Sequence, residues 1–376
     1  MKWLIAVLAC VAVAGCGGGG ESGDLIAFDS GRDGDHEIFV MNADGTEVRQ
    51  LTNNDDYDSN PAWSSGGEHI AFESSRDGDH EIFVMNADGS EVRQLTDNDD
   101  YDWFPAWSPD GKRIASQSSR DGDHEIFVMN ADGTEARQLT DNDGYDAYPK
   151  WSPDGTRIAF ESERDGDHEI FVMNADGTEV RQLTDNDTVD GRPAWSPDGT
   201  RIAFHSGRDR DWEIFVMNPD GTKVRQLTDN DAWDTHPAWS PDGKHIAFVR
   251  TCCYTHNRDS NSEIFVMNAD GTDERQLTDN DVRDGDPAWS PDGTRIAFTS
   301  VRDGDPEIFV MNADGTKVRQ LTDNDAWNTQ PSSPAWSPDG TRIAFHGAVS
   351  EIFVMNADGT DVYSTGQEGW NPSWGG

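Results

Sequence analysis

Glu125-Ile126-Phe127-Val128-Met129-Asn130-Ala131-Asp132-Gly133 is one copy of a string that recurs along the chain. Its glutamate falls at 37, 81, 125, 169, 213, 263, 307 and 351, with spacings of 44, 44, 44, 44, 50, 44 and 44. The run Ile126 to Met129 is apolar without alternation, which predicts a strand buried on both faces. Asn130 to Gly133 then supplies turn residues. Working outward, Arg113 to Ser118 reads as the preceding strand, joined through a tight Asp121-Gly122 turn. Ala136 to Thr140 reads as the following strand, whose Arg137 and Gln138 suit an outer edge. Upstream, Pro105 to Ser108 is a fourth strand, and Ser108-Pro109-Asp110-Gly111 places proline and glycine as a type I turn prefers. Nothing in the repeat has helical period.

The fourth strand keeps a separate tally. Its tryptophan stands at 63, 107, 151, 195, 239, 289 and 336, and a degenerate copy, Asn371-Pro372-Ser373-Trp374, ends the sequence. Eight copies of each string imply eight four-stranded antiparallel units. The order within them is strand a (tryptophan), b, c (the apolar run) and d. The chain opens with strand b at Leu25 to Phe28 and ends on strand a at Trp374. Joining the two completes an eighth unit and removes an open sheet edge. The expectation is an all-β, eight-bladed β-propeller over residues 24–376, closed by pairing of its terminal segments and monomeric.

The Trp-Ser-Pro-Asp-Gly turn and the Ile-Phe-Val-Met-Asn-Ala-Asp-Gly hairpin resemble the TolB-like, WD40-like (PD40) propeller repeat. That resemblance implies the propeller fold and, since TolB-like propellers bind envelope partners, a docking role. TolB carries an additional α/β domain and related dipeptidyl peptidases a hydrolase domain. Residues 24–376 are expected to hold a propeller alone.

Met1-Lys2 followed by the apolar run Trp3 to Ala14 has the length of a signal-peptide core, not of a membrane-spanning helix. Val13-Ala14-Gly15-Cys16 resembles the bacterial lipobox. It implies cleavage after residue 15, lipid on Cys16, and a glycine-rich tether over 16–23. The protein is then exported and touches membrane only through its anchor, at the periplasmic face of an outer membrane or the cell surface. Cys252 and Cys253 are the only cysteines beyond Cys16, so disulfides do not build the fold. With His256 in a loop enlarged by six residues, they suit a vicinal disulfide or a soft metal.

Against 29 basic residues stand 72 acidic ones, a net charge of −43. This disfavours nucleic acid, anionic lipid and polyanionic substrates as partners. Cationic proteins or peptides, cations and neutral carbohydrate remain, and adaptation to high salt would also account for dense carboxylates.

Alternating strands place the a–b and c–d turns on one face, where turn geometry explains their residues. The b–c and d–a loops share the other face. There the b–c loops repeat Asp-x-Asp-x-Glu: Asp33, Asp35 and Glu37; Asp77, Asp79 and Glu81; Asp121, Asp123 and Glu125; Asp165, Asp167 and Glu169. Oxygens at every second residue suit calcium; a hairpin whose arginine pairs with these acids is the alternative. In the d–a loops Tyr57, Tyr101, Tyr145, Trp233 and Trp327 share one position, with Trp103, Phe104, Tyr148 and Trp212 close by. Acid with aromatic grips Lys and Arg side chains or sugar rings, and is expected to form the partner surface. Asp58, Asp102, Asp146, Asp190, Asp234 and Asp284 open strand a and are expected to ring the channel mouth. His36, His80, His124 and His168 recur once per repeat, which spreads them around the rim. No Gly-x-Ser-x-Gly elbow appears, and no inward set of repeat-breaking residues is evident. A non-catalytic binding scaffold leads, ahead of a calcium-dependent or carbohydrate-binding lipoprotein and of a propeller hydrolase or lyase.

Overall fold

The computed structural model describes residues 25–375 apart from 32–33, 45, 121, 209–210, 252–260, 303–305, 323–333, 347–350 and 369. The described elements are strands in eight four-stranded antiparallel sheets. We number the blades so that blade 1 joins the two ends of the chain. In blade 3 strand a is Asp102–Trp107, b is Arg113–Ser118, c is Glu125–Asn130 and d is Arg137–Gln138. Blades 2 to 8 begin at Asp58, Asp102, Asp146, Asp190, Trp233, Asp284 and Ala335.

Strand c is covered on both sides, as its apolar run requires. Ile126 and Val128 pack with Ala115 and Leu139 against Ile158, Phe160, Phe171 and Met173 of blade 4. Met129 points the other way, meeting Ile82, Val84 and Leu95 of blade 2. Each such side chain contributes about 1.5–3 kcal/mol on burial, and each blade depends on both neighbours for that cover. Strand a differs from expectation by starting three residues earlier, at Asp102. It carries a bulge: Trp103 pairs with Gln117, yet Ala106 pairs with Ala115. The extra residue, Phe104, sits at φ 55°, and its counterparts Asn60, Tyr148, Arg192, His236 and Asp286 lie between 52° and 58°. Strand d is shorter than expected, because the chain turns back after Gln138 and Leu139 N–H bonds to the Ile126 carbonyl.

Strand a of every blade packs on strand a of the next, so these strands form the inner wall. Each indole N–H crosses to the preceding blade. Trp107 donates to the Ala62 carbonyl at 2.9 Å, Trp151 to Ala106 at 3.0 Å and Trp195 to Lys150 at 3.0 Å. The circle completes where Trp374 donates to Ala335 at 2.9 Å and Trp63 to Ser373 at 3.1 Å. In blade 1 the final strand, Trp370–Trp374, pairs antiparallel with Leu25–Ser30, setting Ile26 opposite Trp374.

Removing residues 370–376 uncovers strand b of blade 1 and leaves the Trp63 indole without its acceptor. The truncated chain should lose its single cooperative transition in urea and bind a hydrophobic dye. An unchanged transition would show that the ring does not depend on this closure.

Candidate functional site

The acidic loops are organised by a clasp that recurs between blades. The Thr96 hydroxyl accepts the Ile82 N–H at 2.9 Å and lies against the Glu81 carboxyl. Asn98 donates its backbone N–H to Glu81 at 2.7 Å and its amide N–H to Asp102 of blade 3 at 2.9 Å. Arg120 donates to Asp102 at 3.0 Å and to Ser118 Oγ at 2.9 Å, and its guanidinium lies 3.8 Å from the Phe127 ring centroid. The same pairing joins Arg76 to Asp58, Arg164 to Asp146, Arg208 to Asp190 and Arg302 to Asp284. In blade 6 strand-b Arg250 takes this place, 2.7 Å from Asp234.

This placement corrects two expectations. Asp58, Asp102, Asp146, Asp190, Asp234 and Asp284 have no exposed surface. They are closed between an asparagine amide and an arginine, so they do not ring the channel mouth. Glu37, Glu81, Glu125 and Glu169 are equally buried. In each, a carboxyl oxygen accepts an asparagine backbone N–H, which with burial takes the glutamate out of the Asp-x-Asp-x-Glu ligand set. Asp35, Asp77, Asp79, Asp123, Asp165 and Asp167 stay on the loop surface, half-buried or exposed. Among the described residues no three carboxylate, imidazole or thiol groups converge as a metal site. Asp33, Asp121, Trp327, Cys16, Cys252, Cys253 and His256 lie outside the described residues.

Above the clasps the structure assembles a band of rings that the sequence left scattered. His36 stacks on Tyr57 at 4.4 Å, and Tyr57 meets His80 at 6.3 Å. The band continues through Tyr101 at 5.8 Å, Trp103 at 5.3 Å, His124 at 5.2 Å and Tyr145 at 4.4 Å, ending on His168 at 6.2 Å. The four histidines are therefore not spread around the rim but interleaved with the aromatics along one arc, blades 1 to 4. Tyr57 and Tyr101 remain 41% and 46% exposed, enough to offer their ring faces. Trp212 lies elsewhere, edge-on to His205 at 4.6 Å, and Trp233 opens strand a of blade 6.

Of a second set the sequence singled out only Phe104 and Tyr148: the bulge residue before each strand-a proline and the fifth residue of strand b. These vary from blade to blade, whereas the proline after the first and most residues flanking the second repeat. The first column reads Asn60, Phe104, Tyr148, Arg192, His236 and Asp286, and the second Asp29, Glu73, Gln117, Glu161, His205, Val249 and Thr299. The structure joins the columns across blades. Glu73 accepts from Asn60 at 3.0 Å and from Phe104 N–H at 2.9 Å, and Glu161 accepts from Arg192 N–H at 2.7 Å. The Phe104 and Tyr148 rings lie 6.1 Å apart, and those of His205 and His236 6.4 Å apart. Burial pushes Glu73 up to about 7 and His205 down to about 3, the latter aided by His236 and Arg192. Lys150 stands where six blades have alanine and blade 1 has Ser373, so Lys150 and Arg192 add two cations on blades 4 and 5 of an acidic protein. Aligning the repeats by column and marking which columns vary would have exposed this set.

The TolB β-propeller domain (PD40) profile matches residues 21–104, 101–192, 184–252 and 250–375. The chain belongs to the TolB β-propeller family. Among solved structures, an oligogalacturonate lyase from Vibrio parahaemolyticus is 15% identical with a TM-score of 0.60, covering 86% of this chain and 93% of that one. Porphyromonas gingivalis dipeptidyl peptidase 4 is 14% identical with a TM-score of 0.65, covering 88% and 56%. A TolB from Agrobacterium tumefaciens is 23% identical with a TM-score of 0.46, covering 77% and 97%. These likenesses concern the fold. No curated protein matches the chain in sequence.

The clasp makes stability depend on pH. Burial raises Glu37, Glu125, Glu169 and Glu213 from 4.5 to about 7 and Glu81 to about 8, against the pull of their threonine and asparagine donors and with the adjacent aspartate adding to the rise. The folded state thus holds these protons more tightly than the unfolded chain. The contribution is complete below the unfolded value of 4.5 and is lost as pH rises through about 7 to 8. At constant ionic strength Tm should fall between pH 5.5 and 8.5, and Glu81→Gln with Glu125→Gln should flatten that slope. An equal slope in the double variant would assign it to general surface repulsion.

Proposed function

We propose that this chain is an exported, lipid-anchored scaffold that binds a protein or peptide segment across the b–c and d–a loop face without catalysis. The carrying observation is the histidine–aromatic band from His36 to His168, with exposed tyrosine faces above a rim of aspartates. Ring faces beside carboxylates suit lysine, arginine and aromatic side chains of a partner. The cations Lys150 and Arg192 lie on blades 4 and 5, where the band ends, so charge is uneven around the ring and would orient a bound segment. Membership of a family named for TolB accords with a docking role, and the lipobox-like Val13 to Cys16 accords with an envelope location.

A short fluorescent peptide carrying arginine and tryptophan should bind with a polarisation change that weakens at high salt. Replacing Tyr57, Tyr101 and Tyr145 together by alanine should cost at least about tenfold in affinity, since each ring contact contributes roughly 0.5–1.5 kcal/mol. Undiminished affinity in that variant would remove the band from the binding surface, and tighter binding of a neutral oligosaccharide would favour the carbohydrate reading. For the anchor, Cys16→Ser should abolish incorporation of labelled palmitate in a bacterial host. Labelling that persists would place any lipid elsewhere.

A further inference from the structure

The opposite face, formed by the a–b and c–d turns, carries a second recurring contact. The first residue of strand b is an arginine in several blades, and it reaches across to the next blade. Arg113, Arg157, Arg201 and Arg295 lie 4.8, 5.0, 4.5 and 4.8 Å from the ring centroids of Trp151, Trp195, Trp239 and Trp336. Each guanidinium also donates to the carbonyl of the turn glycine beyond: Gly155 at 2.7 Å, Gly199 at 3.4 Å, Gly243 at 2.9 Å and Gly340 at 2.9 Å. Three of them donate again, to Ala175 at 3.3 Å, Ala269 at 3.2 Å and Ala357 at 3.0 Å. A planar cation with divergent N–H groups satisfies one ring face and two carbonyls together.

In two blades the arginine is replaced by histidine, at His69 and His245. The imidazole centroids stay 6.2 and 6.4 Å from those of Trp107 and Trp289. No donor among the described residues reaches the corresponding carbonyls of Gly111 and Ala131, or of Gly293 and Ala313. At each of these places a cavity opens. One of about 440 Å³ is lined by His69, Gly111, Ala131 and Asn130. The other, about 180 Å³, is lined by His245, Trp289, Gly293 and Ala313. Charged groups border both: Glu91, Asp132, Arg93 and Lys112 at the first, and Asp242, Asp292, Asp314 and Arg275 at the second. Arg93 is paired with Glu91 at 2.9 Å and Lys112 with Asp110 at 3.8 Å.

We propose that these two cavities are binding sites for a guanidinium group supplied from outside the chain. The group packs against the His69 imidazole in the first cavity or Trp289 in the second, and donates to the two unpartnered carbonyls as the internal arginines do between other blades. An ammonium has neither the flat face nor two N–H groups spread at the required angle, so the sites distinguish guanidinium from amine. The ligand is a free guanidine or an arginine side chain of another protein; the chemistry of recognition is shared. This inference stands on the repeat geometry and not on the binding role of the other face.

Equilibrium dialysis of the intact protein with labelled agmatine, in moderate salt to screen general acidity, tests it. Two sites per chain are expected, and excess cadaverine should not displace the label. His69→Arg with His245→Arg fills both cavities from within; the double variant should lose both sites and melt at a higher temperature than the parent. A capped peptide with a single arginine identifies the source: displacement of agmatine assigns the sites to a partner's side chain, and its failure to displace assigns them to a free guanidine. Unchanged agmatine binding in the double variant, or displacement by cadaverine at equal concentration, overturns the proposal.

Discussion

A strand with apolar side chains on both faces cannot be satisfied by one neighbour, and this constraint governs the rest of the architecture. Ile126 and Val128 need a sheet on one side, Met129 a sheet on the other. Any linear stack would leave the two end blades with an uncovered face, and each such face would expose several side chains that contribute about 1.5–3 kcal/mol apiece when buried. Curving the stack into a circle removes both ends. Closure therefore follows from the composition of strand c, and the out-of-phase termini are how this chain achieves it. Ile26 and Phe28 are fully buried because residues from the far end of the sequence complete their sheet.

Acidity is managed by sorting carboxylates into two populations. One is taken inside, where every aspartate opening strand a meets an arginine and every clasp glutamate is held by neutral donors. Burial of like charges so close together is tolerable only because the glutamate proton binds tightly and because the aspartate has a guanidinium beside it. The other population stays in loops, where solvent and salt screen it. The loop arginine, which a tally of charges would treat as a minor offset, is what joins the two loops of a blade, and it spends its other side on the face of a phenylalanine.

The fold was legible because it rests on local periodicity repeated eight times: strand order, the double-faced strand c and the blade closure all follow from spacing. Site chemistry was less legible, for a physical reason. Asp79 and Glu81 are two residues apart and read alike as exposed ligands, yet Thr96 and Asn98, from the far side of strand d, fold back onto only one of them. Sequence spacing along one loop cannot report a donor arriving from another. The aromatic band was partly readable, since Tyr57, Tyr101, Trp103 and Tyr145 were marked, but the histidines that join them came from a different loop. Lys150 and Arg192 belong to no shared motif, and they matter because they are not shared.

In a molecule built from near-identical repeats, the invariant positions can only produce circular symmetry. The clasps recur in six blades among the described residues, and nothing in them selects a direction or a partner. Selectivity has to arise where the columns diverge, and the structure concentrates that divergence at few places. The strand-a bulge is one: its backbone is held near φ 55° in six blades regardless of whether asparagine, phenylalanine, tyrosine, arginine, histidine or aspartate occupies it. A conformation costly for a non-glycine residue, kept constant while the side chain changes freely, separates a structural demand on the backbone from an open choice of chemistry. The exchange of arginine for histidine at 69 and 245 is the reverse case. There the surrounding carbonyls and tryptophans are kept as though the guanidinium were still present, so a small change in one column leaves a shaped vacancy without disturbing the blades on either side.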